Sequence, residues 1–533
     1  MSPLIPVLSF SLLSLWLVLP VVLLLVACYA NLRGSNPAAS PAWSVAEKLL
    51  LAFMAATAAI GAWLLLPLAS AEHGLSRAGE VLGVFPDGLS FWMALMVAFI
   101  GWVILRYARD YLKADPTGEQ FLPWFLTTVV SVLLLVTTDN LFVLAGAWIG
   151  VSLSLHQLLT LYADREQARL AAAKKFITSR IGDLAILAAV LLIWNHTGSY
   201  HIPELQQAAA GSGWALQTAS VLLALAAALK CAQIPFHGWL LRVMEAPTPV
   251  SALLHAGVIN LGGFLWLRLF PVFDGFTAGH WVLLVFGGAT AVIASLAMMT
   301  QNSVKHALVW STNAQMGFML FEIALGAYTL AFLHLLAHSL YKAHSFLAAG
   351  RTVNASAVQF DTGACRLQFG LSLAGMGLAG GLLWLMPELV EGKSVLAAVL
   401  VFAVGAMVMG APTGSRLVTR LWTLVLAVSL VPAYALLNHL LAPALPASPS
   451  FAVPLAAQVI GWGLLAGLAL VSWLLMFRPQ AAWFDQLHWH MHQGLLLDRP
   501  FEQITRRWAG KLLAAPAAKP RARSSRTYSG ELG

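Results

Sequence analysis

Charge is scarce in this chain. Its 533 residues hold 30 Lys and Arg and 22 Asp and Glu, so only 10% are charged. A water-soluble domain of this length needs far more charge to cover its surface. Cysteine is nearly absent too. Cys28, Cys231 and Cys365 stand far apart and form neither a disulfide framework nor a metal-ligand spacing, so packing is their expected role. There is no P-loop, no dinucleotide-binding fingerprint and no CxxC pair, and no bis-histidine haem pattern can be placed. These absences point away from an ATP-driven pump. They leave no cofactor and no metal to expect in this chain. No Gly/Ser linker divides the apolar part.

What fills the chain is apolar sequence, 59% of residues, with mean hydropathy +0.79. Roughly 20 apolar residues span the hydrocarbon core of a bilayer. Runs of that length recur, and they are continuous rather than alternating, which excludes a transmembrane barrel. The first run, 5–28, lacks a basic start and is longer than a signal peptide's apolar region, so it reads as the first span. About 15 helices are expected, at 5–28, 45–70, 89–108, 121–138, 140–162, 171–195, 214–240, 250–270, 279–299, 302–322, 327–349, 366–387, 394–412, 416–441 and 451–477. The fold class is therefore all-α and polytopic.

Loop charge orients the chain. Alternate loops carry most of the Lys and Arg, among them Lys174, Lys175 and Arg242; the opposite loops offer only Arg77, Arg268 and Lys393. The expected topology puts the N-terminus outside and the C-terminus in the cytoplasm. Residues 478–533 form an amphipathic segment and a basic tail, expected on the cytoplasmic surface or against a partner. That tail has no folded nucleic-acid reader beside it, so no nucleic-acid partner is expected. Prolines interrupt two helices, after Lys230 at Pro235 and again at Pro387. Breaks at comparable places hint at inverted repeats, 121–270 and 271–415, between flanking spans 1–120 and 416–477.

Ionisable groups inside such runs are costly, so they usually face a partner or a wet cavity. Lys230 lies in "ALAAALKCAQIPF", where snorkelling to the cytoplasmic end competes with an ion-path role. His255 follows the turn "MEAPTPVSALLHAG" and is expected beside the Lys230 helix. His334, His338 and Lys342 recur at i, i+4 and i+8 and share one helical face. A proton wire suits them better than zinc, because the lysine would repel a cation. Lys305 reads equally as snorkelling or functional. Glu245 is a candidate channel mouth or a solvated loop acid. "HWHMH" (His488, His490, His492) invites a metal reading, with interfacial packing as the alternative.

The stretch "ALKCAQIPFHGWLLRVMEAPTPVSALLHAGVINLGGFLWLRL" resembles the core signature of the antiporter-like subunits of respiratory complex I and of Mrp-type sodium/proton antiporters. "TDNLFVLAGAWIGVSLSLHQLLTLY", "KKFITSRIGDLAIL" and the Lys305–Gly350 region match in the same order. The resemblance covers residues 85–350 strongly. It implies proton movement along a central hydrophilic axis through paired half-channels, with broken helices at 214–240 and 366–387. It assigns Lys230, His255, Lys305, His334, His338 and Lys342 to the path, with Asp183 as the acid of the 171–195 helix. Two departures stand out. Ile149 occupies the place of a glutamate that usually pairs with the Lys230 equivalent, and only Glu388 lies near the family's later helix-break lysine. The long lateral helix of the largest complex I subunit is also not seen.

Within this superfamily, "MEAPTPVSALLHAGVINLGGFL" and "WHMHQGLLLD" are most similar to the membrane subunit of the DAB-type bacterial inorganic-carbon transporter (DabB type). That resemblance implies a large soluble DabA-like partner that resembles a β-carbonic anhydrase and carries the zinc. Cation entry, of protons or sodium, would then drive CO2 hydration or bicarbonate accumulation, with the chemistry in the partner. A redox-linked pump subunit of complex I type, an Mrp-type Na+/H+ antiporter and a structural anchor with a degenerate channel are the alternatives.

Overall fold

In lipid, a chain must satisfy its backbone donors and acceptors within the segment, and helices do this. The computed structural model describes residues 4–64, 69–207, 213–273, 275–349, 366–389, 394–410, 416–446, 452–477 and 482–508. Among the described residues the elements are helical, with two isolated β-bridges, Val84 to Thr138 and Asn140 to His201. In order they are α1 (Leu4–Arg33), α2 (Ala42–Leu64), α3 (Ala69–Leu82), α4 (Gly88–Tyr111), α5 (Gly118–Thr137), α6 (Leu141–Leu159) and α7 (Glu166–Thr197). Then follow α8 (Ile202–Gln207), α9 (Trp214–Lys230), α10 (Gly238–Arg242), α11 (Thr248–Ala256), α12 (Leu261–Leu269), α13 (Ala278–Met299), α14 (Val304–Ala324) and α15 (Tyr328–Ala348). The rest are α16 (Arg366–Trp384), α17 (Ser394–Met409), α18 (Leu417–Leu441), α19 (Leu455–Phe477), α20 (Ala482–His492) and α21 (Arg499–Trp508).

Eleven helices among the described residues are long and apolar enough to cross a membrane, fewer than the 15 expected. The physical reasons are local. A break shortens α9, and α17 is also short. The helices α14 and α15 have the length but carry the polar row.

The first break lies where the sequence places it. Helix α9 stops at Lys230, Ala232 turns to φ +50°, and the chain resumes as α10. Pro235 has no N–H to continue the ladder. The freed N–H of Ile234 donates instead to Thr290 Oγ1 at 3.1 Å. A second break, not anticipated, falls at Gly257 (φ −121°, ψ −75°) between α11 and α12. Pro387 interrupts no span; α16 has already ended at Trp384, and Pro387 begins a single 3-10 turn, Pro387–Leu389.

Caps mark several other ends. Asn140 Oδ1 accepts from the N–H groups of Phe142 and Val143 to start α6, and Gly198 closes α7 with φ +76°. Packing then relies on close approach, because lipid offers no water to exclude. A Cβ on Gly317 would stand 2.6 Å from Ala291 N and 2.7 Å from the Gly287 carbonyl oxygen, so glycine lets α13 and α14 touch. One apolar core runs through α1–α15, around Trp16, Trp43, Phe121, Trp148 and Trp266. A smaller core of Ala379, Leu383, Val404, Val408, Ala427 and Val431 joins α16, α17 and α18.

Candidate functional site

Two buried polar clusters sit inside the helical body. The first gathers on Ser152 of α6. Lys230 is the last residue of α9, and its Nζ donates to Ser152 Oγ at 3.0 Å while standing 4.3 Å from the centroid of the Trp148 ring. Asp183 of α7 accepts from the same hydroxyl at 3.5 Å and lies 2.5 Å from Arg180 Nη2. Lys175 donates to the Ser152 carbonyl at 2.5 Å. Lys230, Asp183 and Lys175 are all buried. Ile149 is half-buried, so the α6 residues that meet Lys230 are an aromatic face and a hydroxyl.

This corrects the reading of Lys174 and Lys175 as loop charges. Helix α7 begins at Glu166 rather than near 171, and both lysines are buried. A signal was present: Lys175 and Asp183 are eight apart, so they share one helical face.

The second cluster lies on α11, α14 and α15. His255 Nδ1 is 3.2 Å from Thr312 Oγ1, and its ring stacks on Phe346 with centroids 4.3 Å apart. Lys342 Nζ donates to the Leu308 carbonyl at 3.1 Å and to Ser311 Oγ at 2.9 Å. His334 and His338 stand with ring centroids 6.3 Å apart. His334 Nδ1 is 2.9 Å from Glu322 Oε2, an acid of α14 that sequence reasoning missed. His255 Nε2, both ring nitrogens of His338 and both amide atoms of Asn313 are buried without a hydrogen-bond partner in the protein. Buried polar atoms are ordinarily satisfied, and bound water is the usual means where protein groups are lacking. The arrangement suits groups that exchange protons with water inside a helical bundle.

The two clusters are distinct. His255 was expected beside Lys230, but its partners are Thr312 and Phe346, because the break at Gly257 packs α11 against α15. Asn260, just after that break, donates to Ser339 Oγ at 2.6 Å and ties α12's start to α15. Lys305 is exposed at the start of α14 and joins neither cluster. Glu245 ends a 3-10 turn and pairs with Arg165 at 3.4 Å, both well exposed. The Glu388 side chain lies outside what the structure describes. Arg268, read as an outer loop charge, is buried and donates to Asp87 Oδ2 at 2.6 Å and to Ser90 Oγ at 2.6 Å.

The segment after α19 folds back on the chain. Lys174 Nζ lies 2.5 Å from Asp498 Oδ2 and 3.2 Å from Glu502 Oε2. Arg242 pairs with Glu502, Arg506 reaches Glu166 at 3.3 Å, and Phe501 meets Phe236 edge-on at 5.7 Å. Gly238, which opens α10, leaves the room that Asp498 occupies; a Cβ there would come within 1.8 Å of it. Partial burial opposes ionisation of Glu502, but Lys174 and Arg242 outweigh it and hold the carboxyl below its ordinary 4.5. His492 Nδ1 stands 2.9 Å from the Thr300 carbonyl, while His488 and His490 are exposed. Among the described residues no group of three His, Cys, Asp or Glu is placed to hold a metal. The basic tail beyond 508 lies outside the described residues.

With this geometry in view, comparison with known proteins is informative. Residues 138–437 match the family model for the NADH:quinone oxidoreductase/Mrp antiporter transmembrane region, and 81–122 match that of the complex I chain 5 N-terminus. A probable inorganic carbon transporter subunit DabB of Hydrogenovibrio crunogenus is 42% identical over 351 residues, 64% of each chain. The NADH-ubiquinone oxidoreductase chain 5 of Balaenoptera musculus is 34% identical over 269 residues, 50% of this chain and 44% of that one. The alignments therefore span less than two-thirds of these relatives. A structure of the Mrp complex from Dietzia superposes with a TM-score of 0.59 at 22% identity, covering 93% of this chain and 59% of that one. It is a likeness of fold.

Proposed function

We infer the function from one premise: this chain belongs to the NADH:quinone oxidoreductase/Mrp antiporter transmembrane family. The proposed role is a proton- or sodium-conducting membrane subunit that energises inorganic-carbon uptake. The single observation that carries an ion path is the pair of buried clusters, around Lys230 and around His255, His334, His338 and Lys342, set beside two helix breaks. Broken helices free backbone groups where ions cross, and intramembrane ionisable residues mark the route. The carbon assignment is supported by the similarity to a probable inorganic carbon transporter subunit.

In this proposal α9, α14, α15 and α17 also cross the bilayer, which gives the fifteen spans. Residues 121–270 and 271–415 form the two inverted five-helix repeats, and 1–120 and 416–477 flank them. The C-terminus faces the cytoplasm of the inner membrane, where a large soluble zinc protein of the DabA type docks and hydrates CO2. Replacing Lys230 with Ala is expected to abolish energised bicarbonate accumulation with complex assembly intact; full accumulation would sink the role given to Lys230.

A second reading is favoured by the complex I chain 5 match. A redox-linked pump subunit would co-purify with flavin and iron–sulfur subunits, and the carbon-uptake subunit with a large soluble zinc protein.

A further inference from the structure

Two buried lysines converge on Ser152, and the carboxylate of Asp183 beside them meets the partly exposed Arg180. Lys175 Nζ takes the Ser152 carbonyl at 2.5 Å, and Lys230 Nζ takes its hydroxyl at 3.0 Å. Arg180 Nη2 lies 2.5 Å from Asp183 Oδ2 but without hydrogen-bond alignment, and Arg180 Nε is buried with no acceptor. An ammonium carries three N–H donors and a guanidinium five. Ser152 supplies each lysine with a single acceptor, so donors outnumber acceptors at this spot. Positive charge outnumbers negative in the same way: Lys175, Lys230 and Arg180 against Asp183 alone. Helix α6 contributes Trp148 and Ser152 here, neither of them a carboxylate.

Uncompensated buried charge is strongly destabilising, and surplus buried N–H groups are rarely left unmet. A counter-ion answers both shortfalls at once. It must be small, because α7 packs directly on both α6 and α9. It must also accept hydrogen bonds from several directions, as halides and small oxyanions do.

We propose that the buried Lys175 and Lys230, with the buried Nε of the partly exposed Arg180, form a binding site for a small monovalent anion, chloride or bicarbonate, beside Ser152. The anion stands where a carboxylate side chain would otherwise balance Lys230. The site concerns charge balance within this chain alone, so it holds whichever ion crosses the membrane and whichever partner docks.

The test uses the purified full-length chain in nanodiscs of zwitterionic lipid. Chloride NMR linewidth is read against a gluconate background, with bicarbonate added as competitor. The expected result is saturable chloride broadening in the wild type. It is lost in K175M and in K230M and retained in K305M, whose side chain is exposed. Narrowing by bicarbonate assigns oxyanions to the same site; broadening that bicarbonate leaves untouched restricts the site to halide. Absence of saturable broadening in the wild type, or its persistence in K175M, overturns the proposal. Should the variants fail to fold, the wild type alone decides through its unfolding midpoint. That midpoint is expected to rise saturably with chloride or bicarbonate relative to gluconate, and equal midpoints in all three anions overturn the site.

Discussion

The lysine cluster on Ser152 and the histidine row on α15 hold ionisable groups inside the same helical body by opposite means. The lysine cluster is built from basic groups crowded on one serine. Its cations outnumber its carboxylate, and one serine serves two ammonium groups through its carbonyl and its hydroxyl. The histidine row is built from groups that can be neutral. Hydroxyls and a carbonyl of α14 meet His255 and Lys342, and the acid Glu322 meets His334 at the far end. The difference teaches that intramembrane charge can be tolerated either by concentrating polar partners on it or by choosing side chains that need not carry it.

If the two clusters serve one path, disabling the histidine side should be as damaging as disabling the lysine side. Lys342→Ala is expected to abolish bicarbonate accumulation as completely as Lys230→Ala, with the protein still inserted and assembled. Uptake of labelled bicarbonate by cells carrying each variant checks this. Substantial accumulation in the Lys342 variant would separate the clusters into unrelated roles.

The next effect concerns what anchors the lysine side. Lys174 is next to Lys175 in sequence and is held by Asp498 and Glu502. Replacing both acids with Ala leaves a buried ammonium without a partner, a loss of about 3–5 kcal/mol for a buried pair broken from one side. The thermal unfolding midpoint should fall, and α21 should become sensitive to protease. The pH dependence has a definite sign. Glu502 has a lowered pKa in the folded state, so its contribution is present above the ordinary carboxylate range and is lost as pH falls through that lowered value. The double variant should lose this acid-side dependence.

Much of the architecture was legible in the sequence, because the signals are local. Apolar run length identifies spans, and a proline that cannot donate identifies the break after Lys230. The i, i+4, i+8 spacing places His334, His338 and Lys342 on α15. What stayed hidden depends on packing between distant segments. Glu322 is twelve residues before His334 and on a different helix; its place in the apolar run "GFMLFEIALG" marks an intramembrane acid but not which residue it meets. Lys174 looks like a loop charge until α21, more than three hundred residues later, supplies its acids. The Gly257 break has no proline to announce it. Ile149 drew attention to a missing carboxylate, whereas the groups that meet Lys230 are its neighbours Trp148 and Ser152.

Glu322 gives a smaller test on the histidine side. Glu322→Gln keeps the size of the side chain and removes its charge. His334 then loses the carboxylate that stands 2.9 Å from its Nδ1. The expected cost is about tenfold in ion flux, about 1.4 kcal/mol, milder than loss of Lys342 because the other imidazoles remain. Proton flux into liposomes holding the reconstituted complex, read with a pH-sensitive dye, measures it. Flux equal to the wild type would show that the row works without its acid.

The smallest effect is expected at Lys305, where sequence resemblance and structure part. The resemblance places this lysine on the path, yet its side chain is exposed at the first turn of α14, next to Val304, which is also exposed. An exposed lysine has water or lipid headgroups for its ammonium, so it bears no desolvation cost that a proton path could use. Exposed substitutions away from caps and buried pairs usually change stability by no more than about 0.5 kcal/mol. Lys305→Ala is therefore expected to leave unfolding midpoint, ion flux and bicarbonate accumulation at wild-type levels. A loss of flux approaching that of Lys342→Ala would extend the path along α14 to the surface. It would also make the contrast between the clusters one of three stations, with an exposed lysine as the entrance to the histidine side.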